Sequence, residues 1–391
     1  MIVNSSLSLP EYELYPIVSY NTDEPHSDLK LPDHELLLES RTSDEANLDK
    51  IFPMFHGHTK RDWGHVLLNI EQSCNEFNVS GRGVKVCVLD TGCDLNHKDL
   101  RVVEHIDFTN SRFGAFDVAS HGTHVSGIIC GKSSTVTGVA PNSELYIGKV
   151  LSDDGSGTTD QIARGIDWAV SKGCQVINMS LGGDGPIPDC LSDSINSALA
   201  KNVLIIAAAG NNGHYGIGNV GRHNSTITVG AIDRNKEIAN FSSRGISLDV
   251  VAPGVEILST IPNNKYGKLS GTSMACPYVS GIACLYVETM LKYGQIPSQS
   301  HFAQMLELTC ERLPPGCYTK NTDYGFGLVN LYKLLYELTT PILPPIPVTP
   351  KPKIPSEISL TGSNNPTLVV TTSDGKEIVF ESILGWHIKY V

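Results

Sequence analysis

An uninterrupted apolar run of eighteen residues is missing from this 391-residue chain, and its first twenty, MIVNSSLSLPEYELYPIVSY, have neither a basic start nor an apolar stretch. Both absences exclude an evident membrane span or secretory leader, and the expectation is a soluble chain that is not exported. Positive charge is also short. With 29 Lys and Arg against 41 Asp and Glu, a net −12, neither nucleic acid nor an anionic membrane is expected as partner. Ten cysteines occur without the look of a disulfide framework: Cys87 in VKVCVLD and Cys284 in SGIACLYV sit in apolar runs, as small buried hydrophobes do. Only Cys310 and Cys317, in CERLPPGC, are close together on a turn-rich segment. Free thiols are the reading, and they suit a cytoplasmic or other intracellular compartment.

Composition otherwise describes a globular protein, with 40% hydrophobic residues and 36 glycines. From about residue 84, short runs rich in Val and Ile (VKVCVLD, LYIGKVL, QVINMSLG, NVLIIAAAG, TITVGA) alternate with amphipathic segments such as TDQIARGIDWAVSKG and DCLSDSINSALAKN. That alternation predicts an α/β domain, a doubly wound parallel sheet with helices on both faces. Ligands of such folds bind beyond the carboxyl ends of the strands, so polar residues that end strands are the candidates. Residues 1–57 are acidic and show no sustained period, which sets them apart from a domain at 58–338. PILPPIPVTPKPKIP makes 339–356 a stiff Pro-rich linker. Beyond it, 357–391 is a small β-rich tail with two alternating runs around Ser-Asp-Gly. It is too short to hold a core alone, so it docks on the main domain, a partner or another copy.

Four polar residues stand out, each with two readings. Asp90 ends a strand before Thr91-Gly92, as a turn former or a catalytic carboxylate does. His121 opens SHGTHVSGIICG, where Ser120 is a helix cap and His121 either a polar helix start or a base. Metal binding fits poorly, because no glutamate lies between His121 and His124. Asn211 follows the small-residue strand NVLIIAAAG and either forms a turn or aims its amide at developing negative charge, with Ala209 and Gly210 leaving room for a substrate side chain. In LSGTSMACPY, Ser273 and Cys276 are both nucleophile candidates, and Pro277 places Ser273 at a helix start, because proline is tolerated in a first turn. A thiol so near a helix N-terminus is open to a lowered pKa and to alkylation.

Taken in order, these residues lie in VLDTGCDLNHKDL, SHGTHVSGI, AAAGN and GTSMACP, and with TGVAPNSELYIGKVL, INMSLGG, APGVEILST and YGFGLVN they carry a resemblance. The chain resembles the subtilisin-like serine proteases, or subtilases, over roughly 63–338, and is nearest in character to the intracellular ones. The resemblance implies a serine endopeptidase with Asp90, His121 and Ser273 as triad, working through an acyl-enzyme. It further implies an oxyanion hole at Asn211 and the Ser273 N–H, with Thr272 assisting. Extended polypeptide would lie between Gly155-Ser156-Gly157 and Ser180-Leu181-Gly182. No cofactor is implied for catalysis. Asp99 matches a calcium ligand of secreted relatives, leaving a structural calcium open, although Gly127–Gly138 is shorter than their calcium loop. Asp153, Asp154 and Asp184 near the cleft are either solvated loop charges or a preference for basic substrates. Tyr278 replaces a common histidine at a packing position, and Cys276 stands where a small residue is usual, so the resemblance implies that it packs. Residues 1–57 occupy the place of an inhibitory pro-segment, so a zymogen cut by its own active site near 55–62 is expected.

Overall fold

The computed structural model describes residues 62–317 and 319–340, and elsewhere the backbone of six short strands. The chain divides into two compact units, residues 1–338 and 339–391. Of the linker expected at 339–356, Thr339 belongs to the last described helix and 341–356 lie outside the described residues, as do most of residues 1–57. Two strands from the N-terminal segment are described, β1 (Leu29–Lys30) and β2 (Leu37–Leu38).

The main sheet takes β3 (Lys85–Asp90), β4 (Val102–Asp107), β5 (Glu144–Lys149) and β6 (Val176–Met179). After the two-residue β7 (Gly182–Gly183), it continues with β8 (Leu204–Ala208), β9 (Ile227–Ile232) and β10 (Val250–Pro253). Their order is β10-β9-β8-β6-β3-β5-β4, and every neighbouring pair is parallel. The five interior strands are the ones the apolar runs predict. Both edge strands escape that pattern for physical reasons: β4 is only half-buried, and β10 is four residues ending in proline, which an edge tolerates. A hairpin, β11 (Ile257–Ile261) with β12 (Lys265–Leu269), lies apart from this sheet, and β2 adds to β12.

Eight α-helices are described: α1 (Trp63–Leu67), α2 (Ile70–Phe77), α3 (His121–Cys130), α4 (Thr159–Ser171), α5 (Asp189–Leu199), α6 (Thr272–Lys292), α7 (Gln299–Thr309) and α8 (Leu331–Thr339). Strand alternation sorts the core into two layers. Val86 and Val88 pack with Val125 of α3 and Val279 of α6, whereas Cys87 and Leu89 pack with Ile162 of α4 and Ile195 of α5. Helices therefore cover both faces, as a parallel sheet requires. The start of α4 is fixed by a capping box, in which Thr158 Oγ1 accepts from the Gln161 N–H (3.2 Å) and Gln161 Oε1 from the Thr158 N–H (2.8 Å). Helix α6 is long and apolar enough to span a membrane, but 94% of its apolar window is buried within the protein, the mark of a core helix.

Candidate active site

Strand order reverses at β3, with β5 and β4 on one side and β6, β8, β9 and β10 on the other. Such a switch point opens a crevice at the carboxyl ends of the strands. Asp90 is the last residue of β3, buried, and its Oδ1 accepts from the Thr91 N–H at 2.7 Å. The same oxygen faces His121 Nδ1 across 2.7 Å, with the imidazole also fully buried. An ionised carboxylate only accepts, so Nδ1 is the protonated nitrogen of this pair.

His121 begins α3, but Ser120 does not cap it. Ser120 sits at φ +68° and makes no capping bond. The first helical N–H groups go elsewhere: Gly122 donates to Thr91 Oγ1 (3.0 Å) and Thr123 to Asp117 Oδ2 (2.8 Å). Asp117 is itself buried and accepts from the hydroxyls of Thr91 (2.8 Å) and Thr123 (2.6 Å). Burial raises its carboxyl pKa and the nearby Asp90 charge adds to the rise, while those hydrogen bonds oppose it. The sequence reading missed Asp117. An acid four residues ahead of the candidate histidine was the available signal, but Ser120 stood nearer as a cap. His124 has a structural place, with Nε2 2.8 Å from the Ile257 carbonyl and 3.1 Å from that of Gly267.

Ser273 is the second residue of α6, so Pro277 is the sixth and falls beyond the first turn. The expectation about Pro277 is corrected accordingly. In a regular helix the residue at 277 would donate to the Ser273 carbonyl, and proline has no N–H to give. Ser180 Oγ donates to that carbonyl instead (2.9 Å), while Ser273 Oγ donates to the Ser180 carbonyl (3.2 Å). Asn178 stands behind this exchange: its Nδ2 donates to Ser180 Oγ (3.0 Å), and its Oδ1 accepts from Ser280 Oγ (2.8 Å) and Cys276 Sγ (3.3 Å). Burial pushes the Cys276 thiol up to about 12, with the Asp90 charge a smaller contribution in the same direction. The alternative of a lowered thiol pKa does not hold, because desolvation outweighs any help from the helix terminus.

Asn211 follows β8. Its Oδ1 accepts from the Thr272 N–H (3.0 Å) and Thr272 Oγ1 (2.9 Å), and Thr272 Oγ1 accepts from the Gly210 N–H (3.1 Å). The single hydroxyl proton of Thr272 is thus engaged by Asn211, so Thr272 holds the amide in place and has no second proton for an oxyanion. Asn211 Nδ2 is buried with no hydrogen-bond partner among the described residues. A Cβ at position 271 would lie 3.2 Å from it, which glycine avoids.

Both segments expected to line the cleft follow carboxyl ends of sheet strands. Ser180 and Leu181 are buried, and Gly182 and Gly183 form β7. Gly183 is tied at both backbone groups to Asn219, by 3.0 and 2.8 Å hydrogen bonds. On the other segment, Gly155 adopts φ +81°, and a Cβ on Gly157 would come within 2.5 Å of the Val150 carbonyl. Ser156 donates from N–H and hydroxyl to Asp154 Oδ1 (2.9 and 2.6 Å), and the Ser152 and Ser156 hydrogen bonds pull that carboxyl down to about 2. Asp153 pairs with the buried Lys149 ammonium (3.0 Å). Asp154 is therefore engaged within its own loop and Asp153 with the end of β5, and Asp184 is exposed. Ala209 is buried and Gly210 adopts φ +101°.

The residues around Asp99 do not fit calcium. Its Oδ2 accepts from the hydroxyls of Ser133 (2.7 Å) and Tyr266 (2.5 Å), and the neighbouring loop closes on itself through Gly138 N–H to Gly131 O (2.7 Å) and Ser133 N–H to Val136 O (3.1 Å). Calcium takes six to eight oxygens, usually with several carboxylates, and among the described residues no three His, Cys, Asp or Glu gather. Tyr278 does more than pack: buried, it donates to Asp62 Oδ2 (2.7 Å), joining α6 to the residue ahead of α1. All ten cysteines are free, Cys310 and Cys317 included.

A buried carboxylate–imidazole pair at a switch point, a serine in the first turn of a helix and an amide just past a strand end are the residue types of a serine hydrolase on a doubly wound sheet. Comparison with known proteins narrows the class. Residues 81–327 match the subtilase family. Subtilisin DY of Bacillus licheniformis is 43% identical over 257 residues, covering 64% of this chain and 90% of that protein. Subtilisin Savinase of Lederbergia lenta is 39% identical over 256 residues, 65% of this chain and 88% of its own. M-protease of Shouchella clausii is 40% identical over 256 residues, but the match spans only 62% of its length. The chain belongs to the subtilase family of serine endopeptidases.

Native protein treated with iodoacetamide near pH 8 is expected to be labelled at the exposed Cys190 and to stay unmodified at Cys276, with activity unchanged. An adduct mapped to Cys276 would contradict the raised thiol pKa.

Proposed function

We propose that this chain cleaves extended polypeptide with Ser273 as nucleophile, His121 as base and Asp90 as the group that holds the imidazole. Ser273 Oγ attacks the peptide carbonyl and its proton passes to Nε2 of His121. The same proton then goes to the leaving amine, giving an acyl-enzyme that water hydrolyses by the reverse sequence. Negative charge on the carbonyl oxygen accepts hydrogen bonds from Asn211 Nδ2 and the Ser273 N–H at the positive end of α6. The 2.7 Å contact of two buried groups, Asp90 and His121, carries this reading. Ser273→Ala is expected to abolish peptide hydrolysis. Asn211→Ala is expected to lower kcat about 10²–10³-fold with KM nearly unchanged, the magnitude known for such a donor in a subtilisin. An Asn211→Ala enzyme as fast as wild type would remove this amide from the mechanism.

The N-terminal segment acts, in this proposal, as an inhibitor of its own cleft. Support comes from β1, where Leu29 and Lys30 pair antiparallel with Gly183 and Gly182, the backbone on which substrate would add as a strand. Further support is the anchoring of Asp62, whose Oδ1 accepts from the Leu258 N–H (2.9 Å) and whose Oδ2 accepts from Tyr278, so that a cut near 55–62 leaves the folded part intact. Active enzyme should be trimmed there, and Ser273→Ala protein made in a host lacking the active form should keep residues 1–57. A Ser273→Ala product with the wild-type N-terminus would assign the cut to another protease. We further propose an intracellular location, supported by ten free thiols. Recovery of the native protein mainly from the medium, without cell lysis, would refute it.

A further inference from the structure

We infer that the second unit is a self-association module, in which its sheet stacks face to face on the same sheet of a second copy of this chain. Four strands are described there: β13 (Glu357–Thr361), β14 (Thr367–Thr371), β15 (Glu377–Ser382) and β16 (Trp386–Tyr390). They form an antiparallel meander in that order. Successive residues of a strand take opposite faces and paired residues share one, so the register sorts the whole sheet. One face carries two unbroken apolar rows. Ile358, Val370, Ile378 and Tyr390 make the first, and Leu360, Leu368, Phe380 and Ile388 the second. Trp386, opposite Ser382, shares that face. Every charged strand residue falls on the other face: Glu357, Glu377, Glu381 and Lys389.

No second layer belongs to this unit among its described residues, and a single sheet of this length does not bury a core. Three arguments make a second copy the cover. An apolar face without charge is complementary to itself, whereas a charged surface laid against it would lose hydration with nothing in return. Two such sheets about 10 Å apart make an ordinary sandwich. Complete cover of Phe380, Tyr390 and Trp386 in both copies would remove about 900–1,500 Å², which approaches the ~1,200–2,000 Å² of a specific interface. This inference does not rest on the proteolytic reading.

Sedimentation of the full-length Ser273→Ala chain, which avoids self-digestion, tests it from low to high micromolar concentration. A reversible species of twice the 42.2 kDa chain mass is expected. Phe380→Glu should abolish it, whereas Val379→Glu on the opposite face should leave it unchanged. Ile378→Thr keeps a β-branched residue and guards against simple unfolding of the strand; it should weaken the dimer at least tenfold. A chain that stays monomeric at every concentration overturns the inference, as does a dimer that survives Phe380→Glu. Monomers whose tail cross-links to their own first unit, or that pellet with phospholipid vesicles, also overturn it by giving the face a different occupant.

Discussion

The hydrogen bond between Asp90 and His121 sets the terms for everything around it. A carboxylate and an imidazole with no exposure to water hold each other far more firmly than they would at a surface, but only if the chain delivers them to one point from two elements. The sheet delivers Asp90, because parallel strands end together. Helix α3 delivers His121, and its angle is fixed by Thr91 and Asp117, which bind its first N–H groups. Thr91 follows Asp90 in sequence and its hydroxyl also meets Asp117. One buried acid thereby ties the strand end to the helix start, so the two partners of the pair are not free to drift independently.

A second arrangement supports Ser273, the proposed nucleophile. Proline inside a helix ordinarily leaves a carbonyl short of a donor. Here the deprived carbonyl is that of Ser273, and the hydroxyl of Ser180 fills the gap. In the proposed mechanism, the segment after β6 that would lie beside a peptide is thereby locked to the residue that would attack it. Cys276 completes the same cluster as a neutral donor to Asn178.

Much of this was legible in the chain alone, and the exceptions have causes. Interior strands announce themselves because both faces are buried, giving continuous Val and Ile runs. The half-exposed β4 and the proline-terminated β10 lack that signature. Asp90, His121, Asn211 and Ser273 could be singled out because each ends a strand or begins a helix, where polar groups need a reason. Asn178 and the hydroxyl of Ser180 could not, since their importance lies in partners that are distant in sequence, and Asp117 was passed over because Ser120 stood nearer the helix start. The raised pKa of Cys276 was hidden for the same reason: helix position is visible in a sequence, and desolvation is not. Thr272 was assigned to the right place with the wrong task, because only the geometry shows where its one proton goes.

The two-residue strand β7 is made of glycine, and what pairs with it does so through main chain alone. A surface without side chains has little means of telling a tethered segment of its own chain from a foreign polypeptide. In the proposed zymogen, preference between them would come from tethering, which gives a covalently attached strand a local concentration that free peptides seldom reach. Latency would then behave as a property of connectivity: severing one bond changes nothing in the groove, yet turns a permanent neighbour into a dilute competitor.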